Sequence, residues 1–172
     1  MCNKGMTRQE ILDWIGFLYK DLLMDNVLIG GYYFNLQQYD VFEQTKTNLD
    51  RRRSEILDEI HKLADTIQKS PTKAAQAAQN KLYKQLDEII VTVRVTNGYG
   101  DILEVPCTAD EFDLVFDELQ KAKKDVEYFR ETSIQDAKEL KSQEEISAFM
   151  WFLNDYVKEM RENFGILPIS NH

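Results

Sequence analysis

The residues that could do chemistry in this chain are few. Arg8-Gln-Glu10-Ile-Leu-Asp13-Trp-Ile15 and Arg53-Ser-Glu55-Ile-Leu-Asp58-Glu-Ile60 share the pattern Arg-x-Glu-Ile-Leu-Asp-x-Ile. Two Glu-x-x-Asp pairs on two helices could hold Mg²⁺ between them, because hard cations take carboxylate oxygens. Cys107 ends a strand beside Thr108, where a helix N-terminus would lower a thiol pKa and favour nucleophilic chemistry. Gly98-Tyr-Gly100 resembles the start of a phosphate loop. The histidines number two, His61 and His172, which leaves little for a zinc site.

Each of these weakens when the elements that must position it are considered. The paired motif is similar to the Mg²⁺-ligand pattern of all-α nucleotide pyrophosphohydrolases, which would imply a metal-dependent nucleotide hydrolase. At about 100° per residue, however, Glu10 and Asp13 fall opposite Ile11, Leu12 and Ile15. Glu55 and Asp58 likewise fall opposite Ile56, Leu57 and Ile60, so all four carboxylates are expected to face solvent. Gly98-Tyr-Gly100 lies between two strands, with no helix N-terminus and no Gly-Lys-Ser/Thr to grip a phosphate, and reads as a turn. Tyr99 at its tip is a candidate contact residue. A nucleophilic Cys107 would need a histidine, and His61 lies on another helix. No metal, cofactor or catalytic residue is expected, and no motif identifies a family.

Charge is the stronger signal. The chain has 172 residues, 30 acidic and 21 basic, for a net charge of -9. Residues 1–69 carry 11 acids against 9 bases, residues 70–107 carry 4 of each, and residues 108–172 carry 15 against 8. No Lys or Arg occurs from Val95 to Gln120. Such a field repels nucleic acid and anionic membrane and favours basic partners. Arg51-Arg52-Arg53 reads as exposed partners for Asp50, Glu55 and Asp58. With 43% apolar residues, no long apolar run, no signal-like segment and only Cys2 and Cys107, the chain reads as a cytoplasmic, reduced protein.

The periodicities predict one domain, mainly α within an α+β class, as an elongated helical bundle with two long helices and a single β-hairpin. Its parts are 1–71, 72–107 and 108–172. Thr7-x-x-Glu10, Thr108-x-x-Glu111 and Ser142-x-x-Glu145 are capping boxes that open helices. The first helix runs from about Thr7 to Met24, and Gly30-Gly31 breaks the chain. A helix over about 36–69 follows, stopped before Pro71. Its seam is Tyr39, Phe42, Lys46, Leu49, Arg53, Ile56, Ile60, Leu63 and Ile67, a heptad pattern with two charged interruptions. A weakly specified helix spans 72–88. Strands 89–96 and 102–107 flank a turn whose length is set by parity. A turn of three or five residues puts Val91, Val93, Leu103 and Val105 on one buried face, and the five-residue register sets Arg94 beside Glu104. The helix from Thr108 runs to about 131 and weakens at Thr132-Ser133. The last helix stops at Gly165, before Pro168. Trp151 and Phe152 serve either the core around Trp14 and Phe149 or an interface.

The function expected from these features is a non-enzymatic acidic protein that occludes a basic surface on a partner. An inhibitor encoded by a phage or mobile element against a nucleic-acid-handling defence protein would fit. The candidate contact face is Asp110, Asp113, Leu114, Asp117 and Glu118, extended by Asp101, Glu104 and Tyr99 on the hairpin. The alternative is a coiled-coil assembly, adaptor or chaperone-like homo-oligomer, a homodimer included.

Overall fold

A computed structural model describes residues 7–164. Cys2, Gly165, Pro168 and His172 lie outside the described residues, so the expected helix stop at Gly165 does too. The helices are α1 (Arg8–Leu23), α2 (Tyr39–Lys69), α3 (Lys73–Asp87), α4 (Ala109–Lys138) and α5 (Gln143–Asn163). The strands are β1 (Asn26–Ile29), β2 (Tyr32–Asn35), β3 (Ile90–Thr96) and β4 (Ile102–Thr108), in the order β1-β2-β3-β4. The protein is therefore mainly α with a small antiparallel sheet. Two of its helices are long, with 31 residues in α2 and 30 in α4.

The helix starts follow their caps. The Thr7 hydroxyl accepts from the Glu10 amide at 3.1 Å, and the Glu10 carboxylate accepts from the Thr7 amide at 3.3 Å. Thr108 and Glu111 repeat the reciprocal pair at 3.2 and 3.4 Å. At α5 the Glu145 amide donates to the Ser142 hydroxyl, while the Glu145 carboxylate reaches one residue further, to the Lys141 amide. The weakening expected at Thr132-Ser133 does not occur. The Thr132 hydroxyl donates to the Tyr128 carbonyl at 2.7 Å, so the helix absorbs its polar side chain and continues to Lys138.

The single hairpin is corrected to two. Gly30-Gly31 does not merely break the chain. It turns β1 onto β2, with Ile29 opposite Tyr32 and Val27 opposite Phe34. Both glycines have positive φ, 59° and 86°, as a two-residue turn matched to strand twist requires. β2 then pairs β3 through Tyr33 and Thr96. The second hairpin has the five-residue turn 97–101, closed by the Asn97 amide on the Asp101 carbonyl. The expected even parity holds, and Val91 and Val93 are buried. Leu103 is not; it is 37% exposed, and Val105 is half-buried. The inner face of β4 is thus only partly covered. Arg94 and Glu104 are both exposed and form no ion pair with each other.

Backbone contacts divide the chain into two compact units. One comprises residues up to 39, 95–102 and from 118 onward; the other comprises 40–94 and 103–117. The first is built on Ile11, Ile15 and Leu22 of α1, Leu119, Val126 and Phe129 of α4, and Leu153 of α5. The second holds Phe42, Leu49 and Ile60 of α2 together with Val91, Val93, Phe112 and Val115. Of the predicted α2 seam, Tyr39, Phe42, Leu49 and Ile60 are buried and Ile56, Leu63 and Ile67 half-buried, and Lys46 and Arg53 interrupt it half-buried.

Candidate protein-interaction surface

The two charged seam positions explain a carboxylate that the sequence reading turned outward. Phe112, Val115, Phe116 and Leu119 fix the core direction of α4. Asp113 lies about 110° from that direction, on the flank rather than the far side. There it meets α2. Its carboxylate accepts from Lys46 Nζ at 2.6 Å, and from Arg53 Nη1 and Nη2 at 2.8 and 2.9 Å. Asp50 adds a second carboxylate, 2.8 Å from Arg53 and 3.2 Å from Lys46. Hydrogen bonds from Arg53 hold Asp113 and Asp50 below the usual carboxylate range, against the opposing effect of burial. Burial alone would depress Lys46, but its bonds to Asp113 and Asp50 outweigh that and raise it. The expectation that Asp113 presents a free charge on the contact face is corrected: it is an internal counter-ion. Arg53 is likewise half-buried and not an exposed member of an arginine patch, whereas Arg51 and Arg52 are exposed.

The other residues of that α4 face lie at the surface. Asp110, Asp117 and Glu118 are exposed, and Leu114 is 68% exposed among them. On the hairpin, Tyr99 is 85% exposed, and Asp101 and Glu104 are exposed. The turn carrying Tyr99 is braced by the Asn97 carboxamide, whose oxygen accepts from the Tyr99 and Asp101 amides, each at 2.9 Å.

The other candidates carry less. Glu10, Asp13, Glu55 and Asp58 are all exposed, as the helical arithmetic predicts. Among the described residues no three His, Cys, Asp or Glu side chains gather to hold a metal ion. Burial pushes the Cys107 thiol up, and Glu111 adds to the effect, the reverse of what a nucleophile needs. His61 is exposed on α2.

The two placements open to Trp151 and Phe152 are distinguished by burial on α5. On α5, Phe149, Leu153, Val157 and Met160 are buried, yet Trp151 is 74% and Phe152 54% exposed. Of the core and interface placements open to Trp151, the core one is set aside, because the side chain lies about 165° from the buried stripe. α1 runs beside α5. The Trp14 indole donates to Asn154 at 3.1 Å, and Arg161 binds Asp21 and, at 2.8 Å, Asp25. Burial raises Asp25 despite the Arg161 contact. Phe17, also exposed, stacks on Trp14 with centroids 5.1 Å apart, and the pair borders an open cleft of about 390 Å³ against α5. No helix among the described residues is long and apolar enough to cross a membrane. Compared with known proteins, the chain matches no family model, no curated protein and no solved structure.

Proposed function

We propose that this chain is a non-enzymatic interaction protein whose α4 face, Asp110, Leu114, Asp117 and Glu118, docks on a basic surface of a partner protein and occludes it. The observation that carries this reading is Leu114, a large apolar side chain 68% exposed and set among carboxylates. It lies in a stretch without Lys or Arg from Val95 to Gln120. Charge of one sign steers a basic partner into encounter, and the apolar centre supplies short-range affinity. A nucleic-acid-binding protein is the partner class that suits this face best, since carboxylates in a row imitate phosphates. An inhibitor of a nucleic-acid-handling defence protein, of phage or mobile-element origin, is the biological setting we favour. Asp113 has no part in this contact, because Lys46 and Arg53 already neutralise it. The test is Asp117→Lys with Glu118→Lys, which leaves the core and the caps untouched. Association with the basic partner should slow by about tenfold at low salt, and Leu114→Ala should speed dissociation instead. Unchanged binding in both variants refutes the reading.

A second reading, a homo-oligomeric assembly or adaptor protein, is favoured by a different observation, the exposed Trp151 and Phe152 of α5.

A further inference from the structure

We propose that the outer face of α5 is the seam of an antiparallel homodimer, with Trp151 of two copies meeting at the two-fold axis. Trp151 is the most exposed large apolar side chain on any helix among the described residues, at 74%. Three- and four-residue steps from it trace one solvent-facing stripe, Glu144, Ser147, Ala148, Trp151, Asn154, Asp155 and Lys158, every member exposed.

The stripe is complementary to itself in one orientation. In an antiparallel pair centred on Trp151, each residue faces the one equally far on the other side of the centre. Glu144 then faces Lys158 of the second copy at both ends of the seam. Ala148 faces Asn154 and Ser147 faces Asp155, so the small Ala148 and Ser147 lie beside each indole and let the helices approach. In a parallel pair, Glu144 would face Glu144 and Lys158 would face Lys158, which is repulsive. α1 extends the surface. Trp14 reaches Asn154 and Asp21 reaches Arg161, so Phe17 stands level with the stretch between them. In the antiparallel pair Trp14 lies level with the second copy's Ala148, and Phe17, one turn on, with its Ser147 and Glu144.

The size suits a weak dimer. Large aromatic side chains bury about 150–250 Å² each when fully covered. At the observed exposures, Trp151 and Phe17 from two copies supply about 500 Å², and the remaining stripe brings the total to about 1,000 Å², the lower end for specific interfaces. The net charge of -9 on each copy opposes association, and the two Glu144–Lys158 pairs offset it locally.

The experiment is sedimentation equilibrium of the full chain from about 1 to 100 μM, a range that brackets a micromolar dissociation constant. The expected result is a shift from 20.2 kDa towards twice that mass. Trp151→Glu should weaken dimerisation by about 30-fold or more without unfolding, because the side chain is exposed. Glu144→Lys and Lys158→Glu should each weaken it about three-fold, and the double variant should recover wild-type affinity. Trp151→Cys in a Cys2→Ser, Cys107→Ser background should form a disulfide-linked dimer on oxidation. A wild-type chain that stays at 20.2 kDa throughout overturns the proposal, as does a dimer indifferent to Trp151→Glu or a charge swap without recovery. None of these outcomes depends on α4 or its partner.

Discussion

Replacing Asp113 by Asn removes one charge from the centre of the Lys46–Arg53–Asp50 cluster and leaves the shape of the side chain nearly unchanged. The carboxylate accepts three charge-assisted bonds, at 2.6, 2.8 and 2.9 Å. An amide oxygen in the Oδ1 position keeps the Lys46 and Arg53 Nη2 contacts without the negative charge, and the amide N–H groups then turn towards Arg53 Nη1. Bonds to charged groups contribute about 1.5–3 kcal/mol each when buried. Here the side chains of Asp113, Lys46 and Arg53 are 30%, 23% and 21% exposed, so solvent screens part of that. We expect a loss of about 2 kcal/mol at pH 7, or roughly 4–8 °C in Tm for a chain of this size. The pH dependence follows from the depressed pKa of Asp113. Its contribution is fully present above the unfolded value of about 4 and is lost as pH falls through the lower folded value. Urea unfolding followed by circular dichroism should therefore show the wild type and Asp113→Asn converging as pH falls to about 3. Asp117→Asn, on the exposed side of the same helix, should change stability by less than about 0.5 kcal/mol at any pH. An Asp113→Asn protein as stable as wild type at pH 7, or a gap undiminished in acid, would refute the cluster as an energetic element.

Further outcomes are expected elsewhere. Replacing Lys46, Arg53 and Asp113 together by Leu should leave the protein about as stable as the wild type or more so, because apolar packing commonly matches a half-buried ion network; urea midpoints check this. Gly30→Ala and Gly31→Ala should each cost about 1–2 kcal/mol, as both force a Cβ into positive φ, and Gly30→Asn should cost less; thermal scans distinguish them. In a Cys2→Ser background, Cys107 should react with a thiol reagent at pH 7 at least about tenfold more slowly than free cysteine, and the difference should vanish in denaturant.

Where local chemistry dictates structure, the sequence is readable. Thr7, Thr108 and Ser142 mark helix starts because a hydroxyl at the cap and a Glu three residues on satisfy amides that nothing else can. Even parity across the 97–101 turn follows from the alternation of Val91, Val93 and Val95. The β1–β2 hairpin was equally legible, since Val-Leu-Ile-Gly-Gly-Tyr-Tyr-Phe carries a two-glycine turn between β-prone residues. Reading Gly30-Gly31 only as a break hid it. Asp113 was harder, because one apolar stripe gives one core direction, whereas α4 is approached by α2 on its flank. The usable signal lay in the partner helix: Lys46 and Arg53 in a buried seam require a carboxylate opposite. For Trp151 composition left core and interface both open. Phe149, Met150, Trp151, Phe152 and Leu153 read as an all-round apolar helix, and only their angular positions separate the buried Phe149 and Leu153 from the outward indole.

The central claim is that α4 presents a partner-binding acidic face, and differential affinity capture tests it most directly. Wild-type protein, the Asp117→Lys/Glu118→Lys variant and Trp151→Glu would each be immobilised in extract of the cells that make the protein. Retained proteins would be quantified at about 0.1 M and 0.5 M salt, where screening lengths differ about twofold. We predict a discrete basic protein held by wild type and by Trp151→Glu, released by the higher salt, and reduced at least about tenfold on the charge-reversed variant. Retention of the same proteins in the same amounts by wild type and the charge-reversed variant would contradict the account.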